Sequence, residues 1–222
     1  GAQSQFFQPK PVELLFDLSK DPHEVQNLAG DEAHAEKLAE LRSALNAKMR
    51  ALPDLSFYPE SYLAEQALPN GADFGQAYKA AIATYADIAD LALQDFTTAE
   101  SEISSALSSD DPIQRYWAAM VCSSFGKEAT SLAEKVKPLL GDDSEQVRVR
   151  AAEFLGRLDQ PEGVNQLVEV ANTTESPIVA TEALNSLVYF ADHHEPKAKI
   201  DLKALKPKVK NDGVDRRVAY LN

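Results

Sequence analysis

Residues 142–156 read DDSEQVRVRAAEFLG, and parts of this pattern return three more times along the chain, once before them and twice after them. Successive copies are offset by about 32–35 residues, and repetition at a period of this size is typical of chains that stack similar units. The equivalent positions are Arg115 with Arg148, Ala118-Ala119 with Ala151-Ala152, Val147 with Val179 and Val214, Ala151 with Ala183 and Val218, and Leu155 with Leu187.

Each copy has the pattern of a helical hairpin. A first helix ends in a short polar turn, and a second helix opens with Asp, Ser or Pro and carries small or branched residues at every fourth position. One hairpin cannot bury its own apolar face, so the copies have to stack. Residues 143–156 resemble HEAT-type repeats, with a period shorter than the ~40–47 residues of longer HEAT forms, and the tetratricopeptide and ankyrin signatures are missing. The expected fold is all-α, a HEAT-like α-α superhelix (solenoid) over residues 73–222.

Two elements are predicted before the repeats, a short strand and an amphipathic helix. Apolar residues alternate over residues 12–18, which is typical of a strand. Asp21-Pro22 predicts a short turn of helix that Gly30 ends, and Asp31 then caps a longer helix over about 32–51. The apolar stripe of this helix is close to helical spacing and consists of Leu38, Leu41, Leu45, Met49 and Leu52.

The residues between the amphipathic helix and the repeats are rich in proline. Pro53, Pro59, Pro69 and Gly71 interrupt them, yet they also contain apolar and aromatic side chains. A linker of this composition should lie against a surface. We therefore expect three regions: a strand-plus-helix segment at 1–52, a packed Pro-rich linker at 53–72, and helical repeats at 73–222.

The charge of the chain excludes some partners. There are 35 acidic and 22 basic residues, a formal net charge of −13, and the phosphates of nucleic acid would repel so acidic a chain. No apolar run is long enough for a membrane span. Residues 197–222 differ, because eight basic residues stand there against three acidic ones, a net +5 that leaves −18 on the residues before them. This basic end could bind an anionic partner or could be a solvated last helix.

The sequence predicts no catalytic, cofactor or metal site within the chain. The single cysteine, Cys122, aligns with Leu155 of the next copy and should be a buried, inert thiol. His193-His194-Glu195 could chelate a metal in a loop, but no third partner is evident and a structural role is favoured. No Gly-rich phosphate loop occurs, and the absence of a CxxC pair excludes that metal or redox motif.

Arginines and aromatic residues cluster at the starts of two successive second helices, a composition common in binding patches. Two interpretations stay open: an interaction surface, or a structural set in which the tryptophan packs in the core and the arginines pair with the aspartates of the preceding turns. The residues concerned are Arg115, Tyr116, Trp117, Arg148 and Arg150.

Residues 10–30 read KPVELLFDLSKDPHEVQNLAG and look like the C-terminal end of sulfatases of the alkaline-phosphatase-like superfamily. Those enzymes typically close with a strand reading E-L-Y-D-L, then D-P-x-E, then N-L-A, then an amphipathic helix. Here Leu15 departs from the usual pattern and Phe16 replaces the usual Tyr. The resemblance covers about residues 9–52. Some bacterial sulfatases that resemble the heparan N-sulfatase group carry a helical-repeat extension after this point, which would suit residues 73–222.

The resemblance implies that the chain is a non-catalytic region of a larger hydrolase acting on sulfate esters or N-sulfates of a glycan. Sulfatases use calcium and a formylglycine made within Cys/Ser-x-Pro-x-Arg, and the sequence after Cys122 lacks both the Pro and the Arg. The chain begins with Gly1 instead of Met and shows no signal peptide, which suggests a trimmed front. Expected partners are the sulfatase catalytic domain itself, another protein or a sulfated glycan, and the family implies a periplasmic or secreted location. The alternative is a free-standing HEAT-like scaffold that binds a protein partner.

Overall fold

The computed structural model describes residues 2–8, 10–193 and 201–221, and these form two compact units, Gly1–Pro53 and Asp54–Asn222. Helices are the regular elements throughout the described residues, which confirms the all-α prediction. None of the described helices is both long and apolar enough to cross a membrane. The α-helices are α1 Ala35–Ala51, α2 Glu60–Gln66, α3 Gly71–Ala77, α4 Lys79–Asp90, α5 Phe96–Ala106, α6 Pro112–Phe125, α7 Ala133–Val136, α8 Glu145–Arg157, α9 Pro161–Thr173, α10 Pro177–His193 and α11 Asp212–Leu221.

Short 3-10 helices lead into, link or extend these elements. They lie at Ala2–Phe7, Glu32–His34, Leu55–Phe57, Leu68–Asn70, Leu91–Leu93, Gly126–Leu132, Lys137–Gly141 and Leu202–Ala204.

The strand predicted at residues 12–18 is wrong. These residues have no regular secondary structure, because a side chain takes the hydrogen bonds that a neighbouring strand would supply. The Asn27 amide donates to the Glu13 carbonyl at 3.1 Å and its Oδ1 accepts from the Leu15 amide at 2.9 Å. A single backbone bond, from the Leu28 amide to the Leu15 carbonyl at 2.8 Å, completes the contact. One backbone bond and one side chain do not make a ladder.

The helical turn predicted after Asp21-Pro22 is also wrong. The Asp21 carboxylate accepts from the amides of Val25 and Gln26, four and five residues on, where a helix cap would accept from the second or third residue. Glu24 has a φ of +54°, in the left-handed region, so the chain turns at this point and no helix propagates.

The longer helix of the first unit is confirmed. Asp31 caps the Glu32–His34 turn through the amide of Ala33, and α1 follows directly. The guanidinium of Arg42 on α1 binds the Glu13 carboxylate, with its Nε at 2.8 Å, and this hydrogen bond lowers the pKa of Glu13. The pair therefore ties the irregular segment to α1.

The second unit stacks helical hairpins, and its second helices are α6, α8, α10 and α11. Each of them begins at a side chain that accepts a hydrogen bond from the amide of a residue two or three positions on: Asp111 from Ile113 at 2.8 Å, Ser144 from Val147 at 3.5 Å, Ser176 from Val179 at 3.4 Å and Asn211 from Val214 at 2.8 Å. The intervals between these caps are the same as the offsets between the sequence copies. Each copy therefore begins its second helix at an equivalent residue.

The first helix of the second hairpin is broken. Residues 126–141 form a 3-10 helix, the four-residue α7 and another 3-10 helix. Gly126 has a φ of +56°, which ends α6 in a conformation that favours glycine, and Pro138 lacks an amide to donate in the following turn. These two residues restrict how far an α-helix can run in this hairpin.

The cores lie between successive hairpins. One cluster runs from Ile88 to Leu155, and a second runs from Val149 to Leu221. A methyl group added at Gly163 would lie 2.4 Å from the Ala152 carbonyl oxygen, so the backbones of α8 and α9 approach at a distance that only glycine permits.

The structure also shows residues 54–70 as helical turns within the second unit. Phe57 and Tyr58 are buried, and Tyr58 packs edge-on against Tyr85 of α4 with ring centroids 5.3 Å apart. The chain is helical from Gly71 onward, but it breaks at Tyr78 between α3 and α4, so the helical pattern that begins at Asp73 belongs to two helices.

The cap of α6 gives a first prediction. Replacing Asp111 by Ala removes the acceptor for the Ile113 amide and for the Tyr85 hydroxyl, which is 2.8 Å from the carboxylate. We expect a loss of about 1–3 kcal/mol in the free energy of unfolding, measured by denaturant titration. The neighbouring exposed Asp110→Ala is the control and should change it by less than about 0.5 kcal/mol. Equal losses in the two variants would contradict the cap assignment.

Cys122 gives a second prediction. The thiol is fully buried in α6, as its alignment with Leu155 predicts, and burial raises its pKa to about 12. Because the thiolate is the reactive form, the folded chain should react with a disulfide reagent at pH 8 more than about 100-fold more slowly than the unfolded chain. The rate should still be rising with pH at pH 10. A plateau near pH 9 would show an ordinary, accessible thiol.

Candidate interaction surface

The starts of α6 and α8 hold the five residues that the sequence singles out, and the structure gives each of them a partner within the chain. Arg115 binds the Asp142 carboxylate through two bonds, Nε–Oδ2 at 2.7 Å and Nη2–Oδ1 at 2.9 Å. The two side chains are only 16% and 6% exposed, and the bond to Asp142 raises the pKa of the Arg115 guanidinium. This pair joins two successive hairpins.

Arg115 and Arg148 make equivalent contacts in their own copies. Arg115 donates to the carbonyls of Ser109 and Asp110 at 2.8 and 3.0 Å, and Arg148 donates to those of Asp142 and Asp143 at 2.7 and 3.5 Å. The acceptors in the two copies are related by the same offset as the arginines themselves. An arginine at this position therefore closes the turn before the second helix.

Trp117 and Tyr116 contact other parts of the second unit. The indole Nε1 of Trp117 donates to the Phe57 carbonyl at 2.8 Å, and the two rings are 5.5 Å apart. Tyr116 is buried, with the guanidinium of Arg150 5.4 Å from its ring centroid. Gln146 of α8 also reaches this segment and donates to the Ser61 hydroxyl at 2.6 Å. Residues 57–61 thus lie against the starts of α6 and α8.

Arg150 belongs to a buried charge network. It binds Glu153 at 2.9 Å, and its Nη2 lies 3.9 Å from Glu182 of α10. Burial raises the pKa of Glu182, although the positive charge of Arg150 opposes the shift. Ser186 donates to Glu153 at 2.8 Å, so the network connects α8 with α10. Each of the five residues therefore has an intrachain role, and an interaction role for them stays a prediction.

The repeat register leads to residues that the sequence analysis did not single out. Arg150 on α8 is equivalent to Glu182 on α10 and to Arg217 on α11, and Arg157 is equivalent to Tyr189. The structure brings these positions together on the three helices. Arg157 lies over the ring of Tyr189 at 5.7 Å, and the Arg217 Nε donates to Asn185 at 2.5 Å. A cavity of about 240 Å³ opens between α8 and α10.

The possible metal ligands do not form a site in the described residues. His193 stacks on Tyr189 with ring centroids 4.3 Å apart, and its Nδ1 lies 2.9 Å from the Tyr189 carbonyl. His194 and Glu195 lie outside the described residues. Within the described ranges, no three His, Cys, Asp or Glu side chains are close enough to hold a metal ion.

The first unit exposes a second kind of surface, which is apolar. None of the residues of α1 is buried, and two leucines of its apolar side, together with the leucine that follows its last residue, are 47–61% exposed. The irregular segment before it exposes three more apolar side chains, at 55–77%. The six residues are Val12, Leu14, Leu18, Leu41, Leu45 and Leu52.

Comparison with known proteins identifies the repeats and gives a partial relative. The family described as HEAT repeats matches residues 100–188 and 133–220, which together cover more than half of the chain. An ulvan-active sulfatase of Formosa agariphila is 44% identical over 62 residues, 28% of this chain and 10% of the relative. The chain therefore spans about a tenth of the length of that curated relative in the matched region. No solved structure matches the chain.

The Arg115–Asp142 pair gives a third prediction. Arg115→Met leaves a nearly buried carboxylate without its cation, so we expect a loss of about 2–4 kcal/mol in the free energy of unfolding. The control is Arg216→Met, which breaks an exposed pair with Asp212 and should cost less than about 0.5 kcal/mol. Adding Asp142→Asn to Arg115→Met should restore part of the loss. If the double variant is no more stable than Arg115→Met, the uncompensated charge is not the cause.

Proposed function

Because this chain belongs to the HEAT-repeat family, we propose that its repeats are an interaction module in the non-catalytic C-terminal region of a sulfatase-like hydrolase. In this proposal residues 1–52 complete the enzyme domain that precedes them. The repeats then pack on that domain or present a surface to another protein or to a sulfated glycan.

The exposed apolar surface of the first unit is the observation that carries the proposal. An amphipathic helix normally gains its stability by burying its apolar stripe, yet Leu41, Leu45 and Leu52 of this stripe are about half exposed or more. Burying a leucine fully is worth about 1.5–3 kcal/mol, so six partly exposed side chains represent several kcal/mol of contact that is not made. An apolar surface of this kind marks an interface.

The segment before α1 supports the same partner. Val12, Leu14 and Leu18 of this segment are 55–77% exposed, although Asn27 and not a neighbouring strand holds the backbone that carries them. A surface of the preceding domain that covers α1 would cover these side chains as well. The identity of 44% over 62 residues with an ulvan-active sulfatase agrees with such a domain.

The chemistry would then belong to the preceding domain. That domain would hold the calcium ion and the formylglycine, and it would act on the sulfate groups of a glycan in the periplasm or outside the cell. The residues of this chain would supply no group to the reaction.

The fourth prediction tests the docking of the first unit. Amides of residues 12–18 and 35–51 should exchange with deuterium at least about tenfold faster in this chain alone than in a protein that carries the preceding domain, because docking buries them. Amides of α8 and α9 are the internal control and should exchange equally in the two proteins. Equal exchange of α1 in both proteins would contradict docking.

The same two proteins test the activity. The longer protein should hydrolyse a sulfated substrate, and this chain alone should not. A Cys/Ser-x-Pro-x-Arg motif in the reading frame before residue 1 is required by the proposal. A start codon there instead, or sulfate release by this chain at an enzyme-like rate, would rule the proposal out.

A second candidate is a free-standing HEAT-like scaffold that binds a protein partner. The observation that favours it is the core of the second unit, since both clusters consist of residues between Ile88 and Leu221. The repeats therefore bury their own apolar faces. For this candidate residues 54–222 alone should unfold with the same midpoint as the whole chain, and the upstream reading frame should lack a sulfatase motif.

A further inference from the structure

Two arginines of the repeats differ from the others because no carboxylate of the described residues pairs with them. Arg115, Arg148, Arg150 and Arg216 each pair with an aspartate or a glutamate. Arg157 and Arg217 form no ion pair with any of the residues that the structure describes. In a chain with 35 acidic and 22 basic residues, an arginine that escapes pairing is available to an anion from outside.

Both guanidiniums are held in place by neutral groups. The Arg217 Nε donates to the Asn185 side chain on α10 at 2.5 Å, and its Nη1 donates to the Gly213 carbonyl at 2.8 Å. Arg157 lies over the ring of Tyr189, also on α10. Asn185 and Tyr189 are four residues apart, about one turn or 6 Å along the helix. Both guanidiniums are half-buried and held by these contacts, so little side-chain freedom is left to lose on binding.

The cavity beside them is lined by hydrogen-bonding groups. It is lined from α10 by Glu182, Asn185, Ser186 and Tyr189, and from α8 by Arg150, Glu153 and Arg157. Arg217 borders it through its contact with Asn185. Tyr189 is the sole aromatic side chain of this lining, and its ring is already covered by Arg157 and His193. A peptide-binding pocket usually offers an apolar or aromatic anchor site, which this lining lacks. Polar walls next to free guanidiniums suit a ligand rich in hydroxyl groups that also carries an anion.

The carboxylates near the cavity do not cancel the two arginines. Glu153 is bound by Arg150 and by the Ser186 hydroxyl. Glu182 faces Arg150 across 3.9 Å. Both carboxylates of the lining therefore contact Arg150, and among the described residues neither forms an ion pair with Arg157 or Arg217.

We propose that this face of α8, α10 and α11 binds a sulfated saccharide, with Arg157 and Arg217 each contacting a sulfate group and the Asn185 amide contacting the sugar hydroxyls. The guanidinium fork matches both sulfate and carboxylate oxygens. The choice of sulfate rests on the proposed function. Arg217 belongs to the basic segment at residues 197–222, whereas the lysines of that segment are not part of the proposed site.

The fifth prediction measures binding to the whole chain by calorimetry at low ionic strength. The probe is a sulfated dextran octasaccharide, and the unsulfated octasaccharide is its control. Arg157→Gln and Arg217→Gln should each raise the Kd at least about tenfold, because each removes charge-assisted hydrogen bonds. Arg216→Gln makes the same charge change beside Arg217 at an exposed pair and should alter the Kd less than twofold.

Lysine variants keep the positive charge but lose the guanidinium geometry. They therefore distinguish specific contacts from electrostatic attraction alone. Arg157→Lys and Arg217→Lys should fold with unchanged thermal midpoints and should still bind more weakly than the unaltered chain, because lysine lacks the planar fork. Binding that stays unchanged in all four variants overturns the site.

Three further outcomes would overturn the proposal. Loss of binding in a Lys203→Gln, Lys206→Gln and Lys210→Gln triple variant, with the arginine variants unaffected, would assign the glycan to the lysines of the basic segment. A glutamate decapeptide that binds as tightly would indicate a peptide partner. Inorganic sulfate that displaces the octasaccharide at equal concentration would show a simple anion site.

The binding result and the proposed function can fail separately. Arginine-dependent binding in a chain with no sulfatase motif upstream would retain the saccharide site and remove the parent enzyme. Sulfatase activity of the longer protein without octasaccharide binding by this chain would retain the parent enzyme and remove the saccharide site.

Discussion

The stacking of helical hairpins depends on each second helix beginning at an equivalent residue. Side-chain caps at Asp111, Ser144, Ser176 and Asn211 set these starts. Because a cap fixes where the first turn begins, it also fixes which residues of the helix face its neighbours. Small residues then allow close contact, and at Gly163 the backbone of α9 meets that of α8 with no room for a methyl group. The Arg115–Asp142 pair joins two of these starts.

The helical part of the fold could be predicted from sequence because its signals are local and repeated. Capping residues, apolar spacing and the offsets between copies all report the same hairpins, and Cys122 could be placed in the core by alignment alone. The segment at residues 12–18 could not be predicted in this way. Its alternating pattern describes a strand, but a strand also needs a neighbour, and here Asn27 binds the backbone instead. The spacing of apolar residues shows that a segment could be a strand, but the hydrogen-bond partners available to its backbone decide whether it forms one.

The same distinction between sequence pattern and actual partners explains why the arginines singled out in the sequence are not the ones available to a ligand. Arginines beside aromatic residues are common in binding patches, so the composition at the starts of α6 and α8 suggested a surface. In the structure the carbonyls of the preceding turns bind both Arg115 and Arg148. The carboxylate partner of Arg115 is Asp142 of the next turn, and that of Arg148 is Glu145 of its own helix. Neither Arg157 nor Arg217 stands beside an aromatic residue, and Arg217 stands out in the sequence only as one of the eight basic residues at 197–222. Their surroundings become apparent only when equivalent positions of α8, α10 and α11 are compared in the structure. Availability to a ligand depends on which charges remain unpaired after folding, and composition does not record this.

The two units differ in how far their apolar side chains are buried and their charged side chains are paired. In the second unit the apolar residues fill two continuous clusters, and most of the arginines find acidic partners. In the first unit a capped helix of 17 residues, held to the preceding segment by the Arg42–Glu13 pair, leaves every one of its residues at least partly exposed. The cap, the apolar stripe and the ion pair form this helix locally without giving it a core. In the proposed function, the energy that fixes its position comes from a surface of the preceding domain that contacts Leu41 and Leu45.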